Sequence, residues 1–192
     1  MRAELSRFRA LRPLFAGRAS RSEQEPGFTP AAVAVVCVPD PDAILLIRRA
    51  ERAGDPWSGQ MGLPGGRMSP GDADLLATAI RETEEELGLR LDPAHLVGAL
   101  DDLTPRTVLL PRIVVRPHLF LLDARPPLRL NHEVAAAHWI DLAAFHGPGV
   151  YGEWDVPALD RTGRFPGYRL QEGIVWGMTE RILTPLLQEV GM

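Results

Sequence analysis

Apolar and polar residues alternate along this chain in two periods, one typical of strands and one typical of helices. Five apolar stretches of the strand type are bounded by turn residues and predict five or six strands. They lie at residues 31–38, 43–49, 95–103, 107–122 and 135–142. Because only the turn sequence PDPD separates the first two, they are expected to be neighbouring strands or a hairpin. Helical spacing predicts a central helix over residues 73–87 and a closing helix over about 174–189.

Strands combined with a central and a terminal helix predict a mixed sheet between helices, an α/β or α+β architecture. A chain of 192 residues is long enough for one substantial core, and we expect one globular domain at 31–192. Residues 1–30 are predicted to be an N-terminal helix and linker. The helical spacing of Leu5, Phe8, Leu11 and Phe15 favours a short helix packed on the domain. The arginine-rich start leaves a transit peptide or a surface helix as alternatives.

The composition argues against several classes of function. A net charge of -4 argues against a polynucleotide-binding protein, which would normally carry a basic excess. All 21 basic residues are arginine, which excludes a lysine-dependent P-loop and a lysine Schiff base. No stretch approaches the roughly 18 apolar residues of a membrane span, so we expect a soluble, cytoplasmic protein with no membrane partner. The single cysteine, Cys37, lies in an apolar strand and is expected to be a buried thiol.

The most acidic segment is RETEEELGL at residues 81–89, where the predicted helix ends at Gly88. At about 100° per residue, the apolar stripe of this helix is formed by Leu76, Ile80, Thr83 and Leu87. Glu82, Glu85 and Glu86 fall on the opposite face. Glu84 lies beside the apolar stripe, away from the other three. Each like-charged pair costs roughly 0.2–0.5 kcal/mol, and the C-terminal end of a helix disfavours negative charge.

A divalent cation would turn this repulsion into attraction, because Mg²⁺ prefers carboxylate oxygens as ligands. The helix also follows a glycine-rich loop at residues 61–72, whose backbone can approach a ligand closely. A metal site on the acidic face is therefore predicted, with a merely solvated acidic face as the alternative. Asp72, at the end of the loop, is a candidate N-cap of the helix.

Residues 66–89, GRMSPGDADLLATAIRETEEELGL, resemble the Nudix box, G-x5-E-x7-R-E-U-x-E-E-x-G-U. The second half matches with Thr83 at an aliphatic position. The first half departs, because Asp72 replaces the glutamate and eight residues separate it from Arg81. The resemblance implies a Nudix-type α/β/α sandwich with a catalytic loop-helix-loop, and hydrolysis of a nucleoside diphosphate linkage.

The same resemblance implies roles for individual residues. Glu82, Glu85 and Glu86 would bind Mg²⁺ or Mn²⁺, with the Gly66 carbonyl as a further ligand, and Arg81 would orient the glutamates. Glu82 or Glu85 would act as the base that takes the proton of water, and the sequence does not separate these two. Gly65, in the same loop, is expected to contact the substrate.

A narrower resemblance is to the coenzyme A pyrophosphatase branch of that family. It rests on LLIRRA at residues 45–50, on GQMGLPGG at residues 59–66 and on the segment 165–183, while the spacing between the first two is one residue too long. It implies cleavage of coenzyme A to 3',5'-ADP and 4'-phosphopantetheine. A different nucleotide substrate, such as ADP-ribose or a dinucleoside polyphosphate, and a non-catalytic nucleotide-binding module are the alternatives. A homodimer is left open.

The arginines Arg48, Arg49 and Arg52 are candidates for contacting the substrate phosphates. Strand alternation lets only one of Arg48 and Arg49 face a given side. Tyr168 is a candidate for stacking on adenine, with packing in the core as the alternative. Glu133 would supply a carboxylate from outside the motif. Residues 165–172 are expected to fold over the substrate mouth because they are rich in glycine, proline and aromatic residues.

Overall fold

The computed structural model describes residues 6–22, 26–107, 109–158 and 161–191; Leu5 of the predicted N-terminal stripe lies outside them. The helices of this part of the chain are α1 (Leu11–Phe15), α2 (Leu75–Leu87) and α3 (Gly177–Glu189). Its strands are β1 (Thr29–Val38), β2 (Ala43–Arg49), β3 (Met61–Gly62), β4 (Gly65–Arg67), β5 (Leu96–Ala99), β6 (Ile113–Leu121), β7 (Val134–Asp141), β8 (Tyr151–Ala158), β9 (Arg161–Leu170) and β10 (Gly173–Trp176). Among the described residues, no helix is long and apolar enough to cross a membrane.

Strands β1 to β7 form one mixed sheet, which confirms the predicted architecture. Strand β1 runs antiparallel to β2, with Cys37 opposite Ile44, as the predicted hairpin requires. It runs parallel to β6 along its other edge. The first half of β1 also pairs with β4, with Ala32 opposite Gly66. This pairing fixes the glycine-rich loop against the centre of the sheet.

Alternate residues of β1 enter two different cores. Val35 and Cys37 face the core that contains α3 and the N-terminal segment. Ala34 and Val36 face the core that contains α2. Helices therefore cover both faces of the sheet, because a strand whose two faces are both buried needs an apolar layer on each side. The result is the expected α/β/α sandwich.

The N-terminal segment packs on the domain. Phe8, Leu11 and Phe15 are all buried in the same core as α3. The backbone of this segment is tied to the main sheet's first hairpin, since Arg7 N donates to Asp42 at 2.7 Å. The apolar stripe of the sequence thus corresponds to a buried face.

Residues 165–172, which are expected to fold over the substrate mouth, form the end of β9 and the turn that follows it. Strands β8, β9 and β10 form a second, three-stranded antiparallel sheet, in which Trp154 lies opposite Phe165. The glycines mark close approach between strands: a Cβ on Gly167 would lie 2.6 Å from the carbonyl oxygen of Val175. Glycine in this segment therefore permits tight strand packing and does not indicate a loop.

The helix bounds differ from prediction where local contacts take over. Helix α2 begins at Leu75, because the side chain of Asp74 accepts from Ala77 N at 2.8 Å and caps the helix. It ends as predicted at Gly88, which has a left-handed conformation with φ of 61°. Helix α3 begins at Gly177, since the four residues before it pair with β9 as β10.

Candidate active site

The loop before α2 contacts the helix through two glycines. Gly65 N donates to a carboxylate oxygen of Glu86 at 2.9 Å. Gly65 has φ of 150°, and a Cβ there would lie 2.6 Å from Cα of Val33. At Gly66, a Cβ would lie 2.5 Å from the carboxylate carbon of Glu82. Gly65 needs glycine because it lies against the backbone of β1, whereas a side chain at Gly66 would displace the carboxylate of Glu82.

The helical angles predict Glu86 on the face opposite the core, and this prediction is wrong. It is 2% exposed and is buried together with Thr83 and Leu87. The reason is that α2 is covered on two sides, by β1 and by β4, so its buried face is wider than the apolar stripe. Burial raises the pKa of Glu86 to about 7; the Gly65 N–H and Arg49 lower it, and the charges of Glu82 and Glu133 raise it.

Glu82 and Glu85 differ in their exposure. Glu82 lies against Gly66 with 16% of its side chain exposed, and burial raises its pKa although Arg81 opposes this. Glu85 keeps 55% of its side chain exposed and lies 3.1 Å from a guanidinium nitrogen of Arg81. Glu84 pairs with Arg90 at 2.5 Å, away from the other three glutamates. The structure thus separates Glu84 from the cluster, as the helical angles indicated.

Asp72 is not the N-cap of α2, which corrects the prediction from the sequence. It binds Arg81 through two hydrogen bonds, from Nε at 2.8 Å and from a terminal nitrogen at 2.9 Å. Ser69 N and the Thr78 hydroxyl donate to the same carboxylate, and the Arg81 hydrogen bonds hold the pKa of Asp72 well below its usual range. Arg81 reaches Asp72, Glu82 and Glu85 together, so it ties the loop to the acidic helix.

Across from the glutamates, a cleft of about 560 Å³ is closed by the segment after β2. Arg49 pairs there with Asp55 at 2.7 Å, and its Nε atom is buried without a hydrogen-bond partner among the described residues. Arg52 lies 3.5 Å from the carboxylate of Glu133. The backbone of Glu133 is fixed by two hydrogen bonds, since Ala50 N donates to its carbonyl and its own N–H donates to the Asn131 side chain. Arg49, Arg52, Glu133, Glu82 and Glu86 therefore line one cleft.

Two candidate substrate residues lie elsewhere. The Arg48 guanidinium donates to the backbone carbonyl of Glu172, outside the cleft. Only Arg49 of the neighbouring pair lines the cleft, as strand alternation requires. Tyr168 is buried in the core, where its hydroxyl lies 2.9 Å from that of Thr184 and its ring contacts Phe145. Packing, the alternative given for Tyr168, is what the structure shows.

Sequence reasoning missed the residues that α3 brings to the cleft. Met178 and Thr179, in the first turn of α3, line it together with Trp57. They are about a hundred residues away from the acidic helix in sequence, and neither residue type carries a chemical signal. Only their position at the start of a helix that packs on the second sheet places them there.

The residues present fit a divalent metal ion of the Mg²⁺ type. Within the described part of the chain, no three His, Cys, Asp or Glu side chains are arranged to hold a metal by themselves. Mg²⁺ seldom needs such a cage, since it commonly binds one or two carboxylates and completes its octahedron with waters and substrate phosphates. Glu82 and Glu86 lie beside a glycine backbone, and the charge of Glu82 raises the pKa of the buried Glu86 through a repulsion that a cation would remove.

Comparison with known proteins agrees with this arrangement. A family model of the NUDIX domain matches residues 28–161. The chain is 28% identical over 167 residues to a Nudix hydrolase, NudL, of Yersinia pestis that is described as uncharacterized, covering 83% of this chain and 78% of the relative. It is 42% identical over 119 residues to an uncharacterized protein of Schizosaccharomyces pombe, covering 59% of this chain and 35% of that protein. The chain thus spans about a third of the length of the fungal relative.

Two solved structures share the fold. One is a bifunctional NMN adenylyltransferase/ADP ribose pyrophosphatase of Francisella tularensis, complexed with AMP and a manganese ion. It has a TM-score of 0.60 and 19% identity, covering 94% of this chain and 46% of that one. The other is a MutT/nudix family protein of Enterococcus faecalis, with a TM-score of 0.58 and 16% identity, covering 89% and 64%. At these identities the likeness concerns the fold alone.

Proposed function

The chain belongs to the Nudix family, and on that premise we propose that it is a pyrophosphohydrolase that cleaves the diphosphate linkage of a small nucleotide with the help of Mg²⁺ or Mn²⁺. The observation that carries this proposal is the pair of acids Glu82 and Glu86 beside Gly66 and Gly65: Glu86 is buried, Glu82 is largely covered, and both have raised pKa values. Buried carboxylates are costly unless a cation or hydrogen bonds compensate them. A function that supplies the cation explains why they are there.

A divalent ion held by Glu82, Glu86 and the Gly66 carbonyl would neutralise the diphosphate oxygens and favour attack by water. Glu85 is the third proposed carboxylate ligand. Its exposed side chain contacts Arg81, and an exposed carboxylate can change rotamer at little cost. Ligands of this kind, with two fixed and one adaptable, suit an ion that also binds substrate oxygens.

The remaining charged residues are assigned to positioning and proton transfer. Arg81 fixes Glu82 and Glu85, and Asp72 fixes Arg81 through the paired hydrogen bonds described above. Glu82 or Glu85 accepts the proton of the attacking water. Glu133 faces them from the other side of the cleft and is a further candidate for this role.

For the substrate we propose coenzyme A or a derivative of it. The support is the resemblance at residues 45–50, 59–66 and 165–183, together with the position of Arg49. Its guanidinium lies in the cleft with a buried Nε that has no hydrogen-bond partner in the described part of the chain, and an arginine fork suits phosphate oxygens. Arg52 lies at the same side and is proposed to contact the phosphates as well.

A hydrolysis screen with Mg²⁺ and with Mn²⁺ tests this function. Coenzyme A, acyl-coenzyme A, NADH, ADP-ribose and dinucleoside polyphosphates are incubated with the protein, and the products are identified by mass. We expect 3',5'-ADP and 4'-phosphopantetheine from coenzyme A. Strong turnover of another nucleotide without turnover of coenzyme A would reject the substrate, and no turnover of any nucleotide would reject the enzyme class.

Arg49 and Arg48 provide a matched pair of variants for the same screen. Arg49→Ala is expected to raise KM about tenfold through loss of a phosphate contact. Arg48→Ala removes an arginine at the next position that points away from the cleft, and KM should stay within about twofold. Equal effects of both variants would argue against the assigned phosphate contact.

A further inference from the structure

A second cavity of about 520 Å³ adjoins the cleft, and its walls are mainly apolar. They come from four places: the segment after β2, the segment between β5 and β6, the second sheet and the first turn of α3. The residues used below are Trp57, Phe165, Trp176, Met178, Thr179 and Glu180. Phe165 and Trp176 face each other with ring centroids 5.1 Å apart, so the second sheet contributes an aromatic wall.

The cavity and the cleft share part of their walls. Trp57, Met178 and Thr179 line both of them. A nucleotide whose diphosphate lies beside Glu82 and Glu86 therefore has the cavity as the place for one of the two groups that the diphosphate joins. Which group fits is decided by the charge and polarity of the walls.

Glu180 is the buried ionisable residue of this wall, with 5% of its surface exposed. One of its oxygens accepts from the hydroxyls of Tyr151 at 3.0 Å and Thr184 at 2.8 Å. Two arginines, Arg106 and Arg181, also line the cavity, and Arg181 donates to the Thr104 carbonyl at 2.7 Å. Because the walls are mainly apolar and partly aromatic, the cavity favours a largely uncharged group.

From this we infer that the cavity binds the uncharged pantetheine arm of the substrate, with Phe165 and Trp176 as its apolar wall. The inference rests on the proposed function, because it assumes that coenzyme A is cleaved. The two halves of coenzyme A differ in the required way: the nucleoside carries a 3'-phosphate, whereas the arm carries methyl groups, amides and a thiol. The arginines Arg49 and Arg52 of the cleft are left for the charged half.

The test compares two alanine variants of aromatic residues that face each other across β8 and β9. Phe165→Ala removes part of the cavity wall. Trp154→Ala is the matched control, because Trp154 is the strand partner of Phe165 but covers Arg169 outside the cavity. Circular dichroism and the thermal midpoint of both variants establish that the second sheet is intact.

Inhibition by each product reports on the binding of one half of the substrate. We expect Phe165→Ala to weaken inhibition by 4'-phosphopantetheine about tenfold, with inhibition by 3',5'-ADP changed less than about twofold. KM for coenzyme A and for dephospho-coenzyme A should rise equally, since both carry the same arm. Trp154→Ala should leave all four values near those of the unaltered protein.

The opposite pattern overturns the inference. If Phe165→Ala weakens inhibition by 3',5'-ADP and leaves inhibition by 4'-phosphopantetheine unchanged, the cavity binds the nucleoside. If the unaltered protein does not cleave coenzyme A, direct calorimetric titration with 4'-phosphopantetheine still tests whether the cavity binds the arm. Binding that Phe165→Ala weakens would then support the cavity while rejecting the substrate, and the absence of binding would reject both.

Discussion

Replacing Glu86 by glutamine is expected to stabilise the metal-free protein above neutral pH while abolishing metal-dependent hydrolysis. Burial raises the pKa of Glu86 to about 7 from its ordinary value of 4.5. Between these values the folded chain holds a proton that the unfolded chain has lost. The stabilising effect of that proton is fully present below about 4.5 and is lost as the pH rises through about 7.

The magnitude follows from the two pKa values. Their difference corresponds to about 3 kcal/mol of free energy of unfolding. Glutamine keeps an oxygen that accepts from Gly65 N, but its amide group also needs a partner in a buried position. A net gain of about 2 kcal/mol is therefore expected for the variant at alkaline pH.

Urea unfolding with EDTA at pH 5 and at pH 8.5 measures this gain. Glu84→Gln is the control, since it removes the same charge from an exposed position on the same helix. The difference between Glu86→Gln and the unaltered protein should appear at pH 8.5 and vanish at pH 5. Added Mg²⁺ should then stabilise the unaltered protein but not the variant. Equal or lower stability of Glu86→Gln at pH 8.5 would refute the argument.

Three further predictions concern neighbouring residues. Glu85→Gln should lower Mg²⁺-dependent turnover by at least about a hundredfold with little loss of stability, because the side chain is exposed; unchanged turnover, measured beside Glu84→Gln, would reject its role. Gly66→Ala should lower turnover about a hundredfold while the thermal midpoint changes little, since its Cβ would displace only the flexible end of Glu82; a loss of fold would show that the backbone cannot adjust. Cys37 should not react with a thiol reagent in the folded protein and should react in urea, because burial raises its pKa well above the ordinary value; rapid labelling of the native chain would contradict this.

The sequence predicted much of the main sheet because its strands are nearly continuous apolar runs. The hairpin of β1 and β2, the helix α2 and its end at Gly88 all follow from local patterns of side chains. The second sheet could not be predicted in this way. Its glycines and prolines resemble a loop until the strands are paired, and Gly167 then serves close packing.

In the candidate site, too, some features follow from the local sequence and others depend on tertiary contacts. Helical spacing by itself put Glu82 and Glu85 on one face and Glu84 on another, because neighbours on a helix are fixed by its period. Only the tertiary structure decided that Glu86 is buried, since burial depends on what covers the helix and β4 covers a second side of α2. It also decided that Arg49 faces the cleft while Arg48 does not, and that Asp72 binds Arg81. Local sequence fixes periodicity and chain turns, whereas contacts between distant segments fix burial and charge environment, on which the proposed chemistry depends.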